Sequence, residues 1–80
     1  MTIAEAVVKR LYELIDARQL TINRISTISG VTQSTVSDIV NGVTLNVKIA
    51  TIKKLWDGRE ISVREFFDSP LFDDLEQELK

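Results

Sequence analysis

The 80-residue chain is predicted to be all-α, on three observations: apolar residues recur every three or four positions, cap-forming side chains precede the runs, and Gly30 and Gly42 follow two of them. The length allows one core. A domain of this size buries only about 60–65% of the surface its unfolded chain exposes, and without Cys no disulfide adds to the packing. With 44% hydrophobic and 28% charged residues the chain lies outside the range in which polypeptides stay disordered.

Ile3, Val7, Leu11, Leu14 and Ile15 form the first helical stripe, and Thr2-Ile3-Ala4-Glu5 is a capping-box pattern. The expected helix has about four turns and ends near Arg18 or Gln19. Thr21 offers the next N-cap, Ile22, Ile25 and Ile28 share a face, and Gly30 can take the positive φ that stops a helix. β-Branched residues are dense in this stretch, but the spacing of three outweighs their strand propensity. Thr32 is expected to cap a third helix over 33–41, with Val36, Ile39 and Val40 inward and Gly42 ending it. Asn46 is the expected cap of a fourth, whose stripe is Ile49, Ile52, Leu55 and Trp56. Ser62-Val63-Arg64-Glu65 is a second capping box and opens a short fifth helix carrying Phe66 and Phe67. Ser69-Pro70 restarts the chain, and Leu71, Phe72, Leu75 and Leu79 make a last stripe over 69–80.

Composition narrows the function classes. Without His or Cys the chain lacks the usual ligands of zinc, the commonest general base and the thiolate nucleophile, so no metal site is expected. Asp73-Asp74 lies in an acidic, polar stretch that reads as a solvated face, and none of Gly30, Gly42 and Gly58 belongs to a phosphate-binding loop. An enzyme is therefore not expected, nor any cofactor. No apolar run approaches the roughly 18 residues that span a bilayer, and no leader pattern is visible, so a soluble cytoplasmic protein with no membrane partner is expected.

The overall charge of −2 conceals an asymmetry. Residues 1–59 carry eight Lys or Arg against five acids, whereas residues 60–80 carry two against seven. A polyanion would be met by the first part, with the acidic segment turned away from it.

Residues 22–41 read as two short helices joined by a glycine-containing turn, with Ile25, Val31, Val36 and Ile39 as buried positions and Ser26 small where the helices cross. If Val36, Ile39 and Val40 face inward, the opposite face of the third helix presents Gln33, Ser34, Ser37, Asp38 and Asn41. Short hydrogen-bonding side chains of this kind suit the major groove, where base edges offer donors and acceptors.

The segment Thr21-Ile22-Asn23-Arg24-Ile25-Ser26-Thr27-Ile28-Ser29-Gly30-Val31-Thr32-Gln33-Ser34-Thr35-Val36-Ser37-Asp38-Ile39-Val40-Asn41-Gly42 resembles the helix-turn-helix of phage-repressor (Xre-like, Cro-like) transcription regulators. Thr51-Ile52-Lys53-Lys54-Leu55 and Ile61-Ser62-Val63-Arg64-Glu65-Phe66-Phe67-Asp68 are similar to that family's fourth and fifth helices, so the resemblance covers about residues 5–68. It implies a lambda-repressor-like five-helix DNA-binding domain over 1–68, with 69–80 as a short additional acidic, amphipathic C-terminal helix. Double-stranded DNA is the implied partner and transcriptional regulation, with repression the expected direction, the implied function. Carried over by position, Gln33 reads a base, most readily adenine through both ends of its amide, and Ser34, Ser37 and Asp38 are its neighbours in base reading. Thr32, Thr35, Asn41 and Lys48 match positions that hold the phosphate backbone, and Arg24 and Arg10 are secondary candidates for that role. The resemblance also implies a homodimer on a palindromic site. Leu71, Phe72, Leu75 and Leu79 are the dimerisation candidates, with covering of the core as the equal alternative.

The chain departs from the family pattern at several positions. Ile22 replaces a Gln that anchors a phosphate, Val40 stands where an acid is common, and Arg59 and Glu60 take the places of a core Leu and a Gly. Asp38 brings a negative charge toward DNA, either to accept from cytosine or to repel wrong sequences. The same residue favours the alternative function, an antitoxin-like or antirepressor-like protein-interaction module whose acidic C-terminal segment engages a protein partner.

Overall fold

A computed structural model describes residues 1–43 and 46–77. It is all-helical among those residues, with α1 over Ile3–Ala17, α2 over Ile22–Ser29, α3 over Gln33–Val40, α4 over Ile49–Asp57 and α5 over Val63–Phe66, followed by a 3₁₀ turn over Pro70–Phe72. None of these helices is long and apolar enough to cross a membrane.

Both predicted capping boxes form. Thr2 Oγ1 accepts from Glu5 N at 3.2 Å while the Glu5 carboxylate accepts from Thr2 N at 2.9 Å, and Ser62 and Glu65 repeat the exchange at 3.0 and 3.1 Å. These reciprocal bonds satisfy amides that the first turn of a helix leaves without partners. The Thr2 backbone N–H holds the Glu5 carboxyl below the usual carboxylate range. Thr21 and Thr32 cap α2 and α3 through their hydroxyls.

Helix ends are set by residues in the left-handed region. Gly30 ends α2 at φ 77°. Gly42, at φ 75°, ends α3 with paired bonds from Gly42 N to Ile39 O and from Val43 N to Asp38 O. The same pair of bonds closes α1 around Gln19 at φ 52° and α4 around Glu60 at φ 59°. Glu60 thus takes a left-handed conformation that glycine adopts freely, at a steric cost that glycine escapes.

The core contains Leu11 of α1, Ile25 of α2, Val36, Ile39 and Val40 of α3, Ile52, Leu55 and Trp56 of α4, together with Ile61 and Phe66. Trp56 and Phe66 are its largest fully buried side chains. α2 packs against both α3 and α4, and α1 against α3. Gly58 fits at the α2–α4 contact because it lacks a side chain, for a Cβ there would stand 2.8 Å from Ile28 Cγ2.

Several expectations are corrected. Asn46 is not the cap of α4: Lys48 holds that place with extended backbone and no side-chain cap bond. Ile49 begins the helix but is 58% exposed, so the buried stripe starts at Ile52. Val31 is only half-buried, packed on the core from the turn.

The C-terminal stripe does not continue as a helix through Leu75, and Leu79 lies outside the described residues. Ser69 caps the 3₁₀ turn through Leu71 N, after which the chain is drawn back to its own beginning. Glu76 N donates to Met1 O at 3.1 Å, and the Met1 amino group pairs with the Glu76 carboxylate at 3.3 Å. A new helical nucleus is costly for a few residues, and Asp73-Asp74 are poor helix formers. Phe72 instead joins Phe66 and Phe67, with ring centroids 6.3 and 4.9 Å away. Its ring covers the core, while Leu71 and Leu75 stay half-buried.

Candidate nucleic-acid interface

The division of α3 into two faces follows from its sequence. Apolar side chains at 36, 39 and 40 lie on one side of a 3.6-residue helix, and all three are buried. Gln33, Ser34, Thr35 and Asp38 are exposed, as are Thr32 before the helix and Asn41 after it, and Ser37 is half-buried. The N-terminal residues of a helix held in this way by a neighbour can lie against base edges in a groove.

Most hydroxyls and amides along this edge have intramolecular partners. Thr32 Oγ1 accepts from Thr35 N at 3.3 Å and donates to Thr35 Oγ1 at 2.8 Å, so its first role is to cap α3. Asn41 Nδ2 donates to Ser37 Oγ at 3.1 Å. Ser26 Oγ in α2 donates to the Val31 carbonyl, which ties the turn to the helix before it. Ser34 and Asp38 make no side-chain hydrogen bond among the described residues.

Gln33 has a partner that the sequence reading missed. Its Nε2 donates to Asn23 Oδ1 at 2.8 Å, across the angle between α2 and α3. Thr27 Oγ1 donates to the same oxygen at 3.5 Å. Ten residues separate Asn23 from Gln33, and no helical spacing relates positions on different helices. An exposed amide in the first turn of α2 was the only available signal.

The cationic candidates separate. Arg24 in the first turn of α2 and Lys48 before α4 are both exposed and make no ion pair among the described residues. A cation in a helix's first turn is unfavourably placed against the helix dipole, and α2 has no acid there to offset it. Arg10 is otherwise engaged: Nε donates to Phe66 O at 2.7 Å, Nη2 to Glu65 O at 2.8 Å and Nη1 to Glu13 at 3.3 Å, with the side chain only 17% exposed. Arg10 is therefore corrected from a backbone contact to an internal brace at the end of α5. Ile22 is half-buried against the core, and its side chain has no hydrogen-bonding group to offer a phosphate.

The chain is similar to a helix-turn-helix transcriptional regulator. It is 47% identical over 47 residues to the uncharacterized HTH-type transcriptional regulator RghRB of Bacillus subtilis (strain 168), a match covering 59% of the chain and 34% of that relative. The chain thus spans about a third of that relative's length. No family model matches it, and no solved structure does.

Proposed function

We propose that this protein is a sequence-specific double-stranded DNA-binding regulator of the phage-repressor (Xre/Cro) type that lays α3 in the major groove and acts as a repressor. The observation that carries this reading is the division of α3, whose apolar face is buried while Gln33, Ser34 and Asp38 stand exposed at its other side. The printed name of its Bacillus subtilis relative supports the same direction. Gln33, Ser34, Ser37 and Asp38 read base edges in this account, and Thr35, Asn41, Lys48 and Arg24 contact phosphates, with Thr32 contributing after it caps the helix. A homodimer places two copies of α3 one helical turn, about 34 Å, apart on a palindromic site.

The test is a fluorescence titration of duplexes drawn from a random pool, repeated over a salt series. Saturable binding that weakens with salt and favours the selected duplexes over bulk DNA is the expected result. Equal affinity for every duplex would overturn the claim of specificity. Absence of DNA binding beside a stoichiometric protein partner would favour the protein-interaction alternative.

A further inference from the structure

Asn41 is followed by Gly42, and glycine has no side chain to obstruct attack by its backbone nitrogen on the preceding side-chain amide. The other asparagines, Asn23 and Asn46, precede the bulkier Arg24 and Val47. In that attack the Gly42 nitrogen forms a bond to Asn41 Cγ, the bond from Cγ to Nδ2 breaks, and the proton from the Gly42 nitrogen leaves with Nδ2 as ammonia. Water then opens the five-membered imide at either carbonyl, giving aspartate or isoaspartate.

The end of α3 restrains this chemistry. Asn41 caps the helix at ψ 2°, where the Gly42 nitrogen eclipses the Asn41 nitrogen instead of Cβ, so ring closure needs a rotation about the Asn41 Cα–C bond. That rotation breaks the bond from Gly42 N to Ile39 O at 3.1 Å and disturbs the one from Val43 N to Asp38 O at 2.8 Å. Nδ2, the leaving nitrogen, is tied to Ser37 Oγ at 3.1 Å. Asn41 and Gly42 are both exposed, so once the cap opens nothing screens them from water.

We infer that Asn41 is a site of spontaneous modification, converted to aspartate or isoaspartate through openings of the end of α3, and that the product has reduced affinity for DNA. The second half rests on the proposed contact of Asn41 with a phosphate. The new carboxylate stands on the edge that faces the duplex and is repelled by its phosphates. It also lies at the negative end of a helix whose last turn holds no basic residue to offset it. Isoaspartate adds a carbon to the main chain as well, which puts the two cap bonds out of register.

The experiment keeps the full chain in mildly alkaline buffer, folded and in urea, and follows each asparagine by peptide mapping with mass detection. In urea Asn41 is expected to convert before Asn23 and Asn46, and folding is expected to slow it about tenfold, because the cap must first open. The converted chain, separated by ion exchange, should bind selected duplexes about tenfold more weakly than the unconverted chain, and Asn41→Asp should share the loss. Conversion at Asn41 no sooner than at Asn23 and Asn46, or at one rate folded and unfolded, overturns the assignment of the site. A converted chain that binds as tightly as the unconverted one overturns its effect. An unconverted chain that binds no duplex overturns the reading of DNA and with it the second half of the inference, while the conversion stands on its own mass readout.

Discussion

The Arg10 guanidinium reaches 56 positions along the chain to donate to the Phe66 carbonyl at 2.7 Å, and with its other nitrogen to Glu65 O at 2.8 Å. Charge-assisted bonds to carbonyls at a helix end are worth more than neutral ones, and these join α1 to the end of α5. Arg10→Ala should lower stability by about 2–3 kcal/mol in denaturant unfolding. Because the group is committed inside the molecule, the salt dependence of DNA binding should be unaffected. A shallower salt slope in this variant would return Arg10 to the interface.

Gln33→Ala and Lys48→Ala should fail in different ways. Loss of a base-reading amide costs about 1–3 kcal/mol against the preferred duplex and little against others, so specificity relaxes. Loss of a phosphate contact weakens all duplexes alike and reduces the salt slope by about one. Titrations of both variants against selected and scrambled duplexes separate these outcomes, and identical loss patterns would contradict the assigned roles.

The corner between α4 and α5 allows two glycine changes of opposite sign. Glu60→Gly relieves a side chain held at φ 59° and should stabilise by about 0.5–1 kcal/mol after the added entropy of the unfolded chain. Gly58→Ala brings a methyl to 2.8 Å from Ile28 Cγ2, on a β-branched residue stiff in its helix, and should destabilise by about 1–3 kcal/mol. Thermal unfolding of the two variants should move in opposite directions.

The Arg59 side chain has its Nε and Nη2 buried without a hydrogen-bond partner among the described residues. Donors removed from water and left unpaired cost about 1–3 kcal/mol. Arg59→Leu should therefore raise stability by an amount in that range, read as a higher denaturation midpoint with the slope unchanged. A lower midpoint would mean that the guanidinium stem contributes more packing than its head costs.

The Glu5 carboxyl is held below its ordinary range by the Thr2 backbone N–H. Because the folded value lies below the unfolded one, the contribution to stability is complete above the unfolded pKa and disappears as pH falls through the folded value. The stability difference between wild type and Glu5→Gln should be constant near neutrality and shrink toward strong acid. A difference that grows as pH falls would contradict the assignment.

Helix by helix, much of this architecture was legible in the linear sequence. The boxes Thr2/Glu5 and Ser62/Glu65, the stop at Gly30 and the inward set Val36, Ile39 and Val40 depend on neighbours within one turn, where spacing along the chain fixes spacing in space. Asn46 misled because a good capping residue competes with where packing starts the helix, and Ile49 because a period says nothing about whether another element lies opposite it. The exposed α3 edge of Gln33, Ser34 and Asp38 could be anticipated from its buried complement.

What only the tertiary structure decided is which distant groups meet. Arg10 became a brace instead of a phosphate contact because α5 folds back onto α1, and Asn23 came to hold Gln33 because α2 and α3 meet at an angle. Phe72 turned onto Phe66 and Phe67 because burying a ring there outweighed extending a short acidic helix. Local rules act through bonds and a few torsions, whereas long-range contacts depend on how all the helices share one core, and that balance cannot be read from any single stretch of chain.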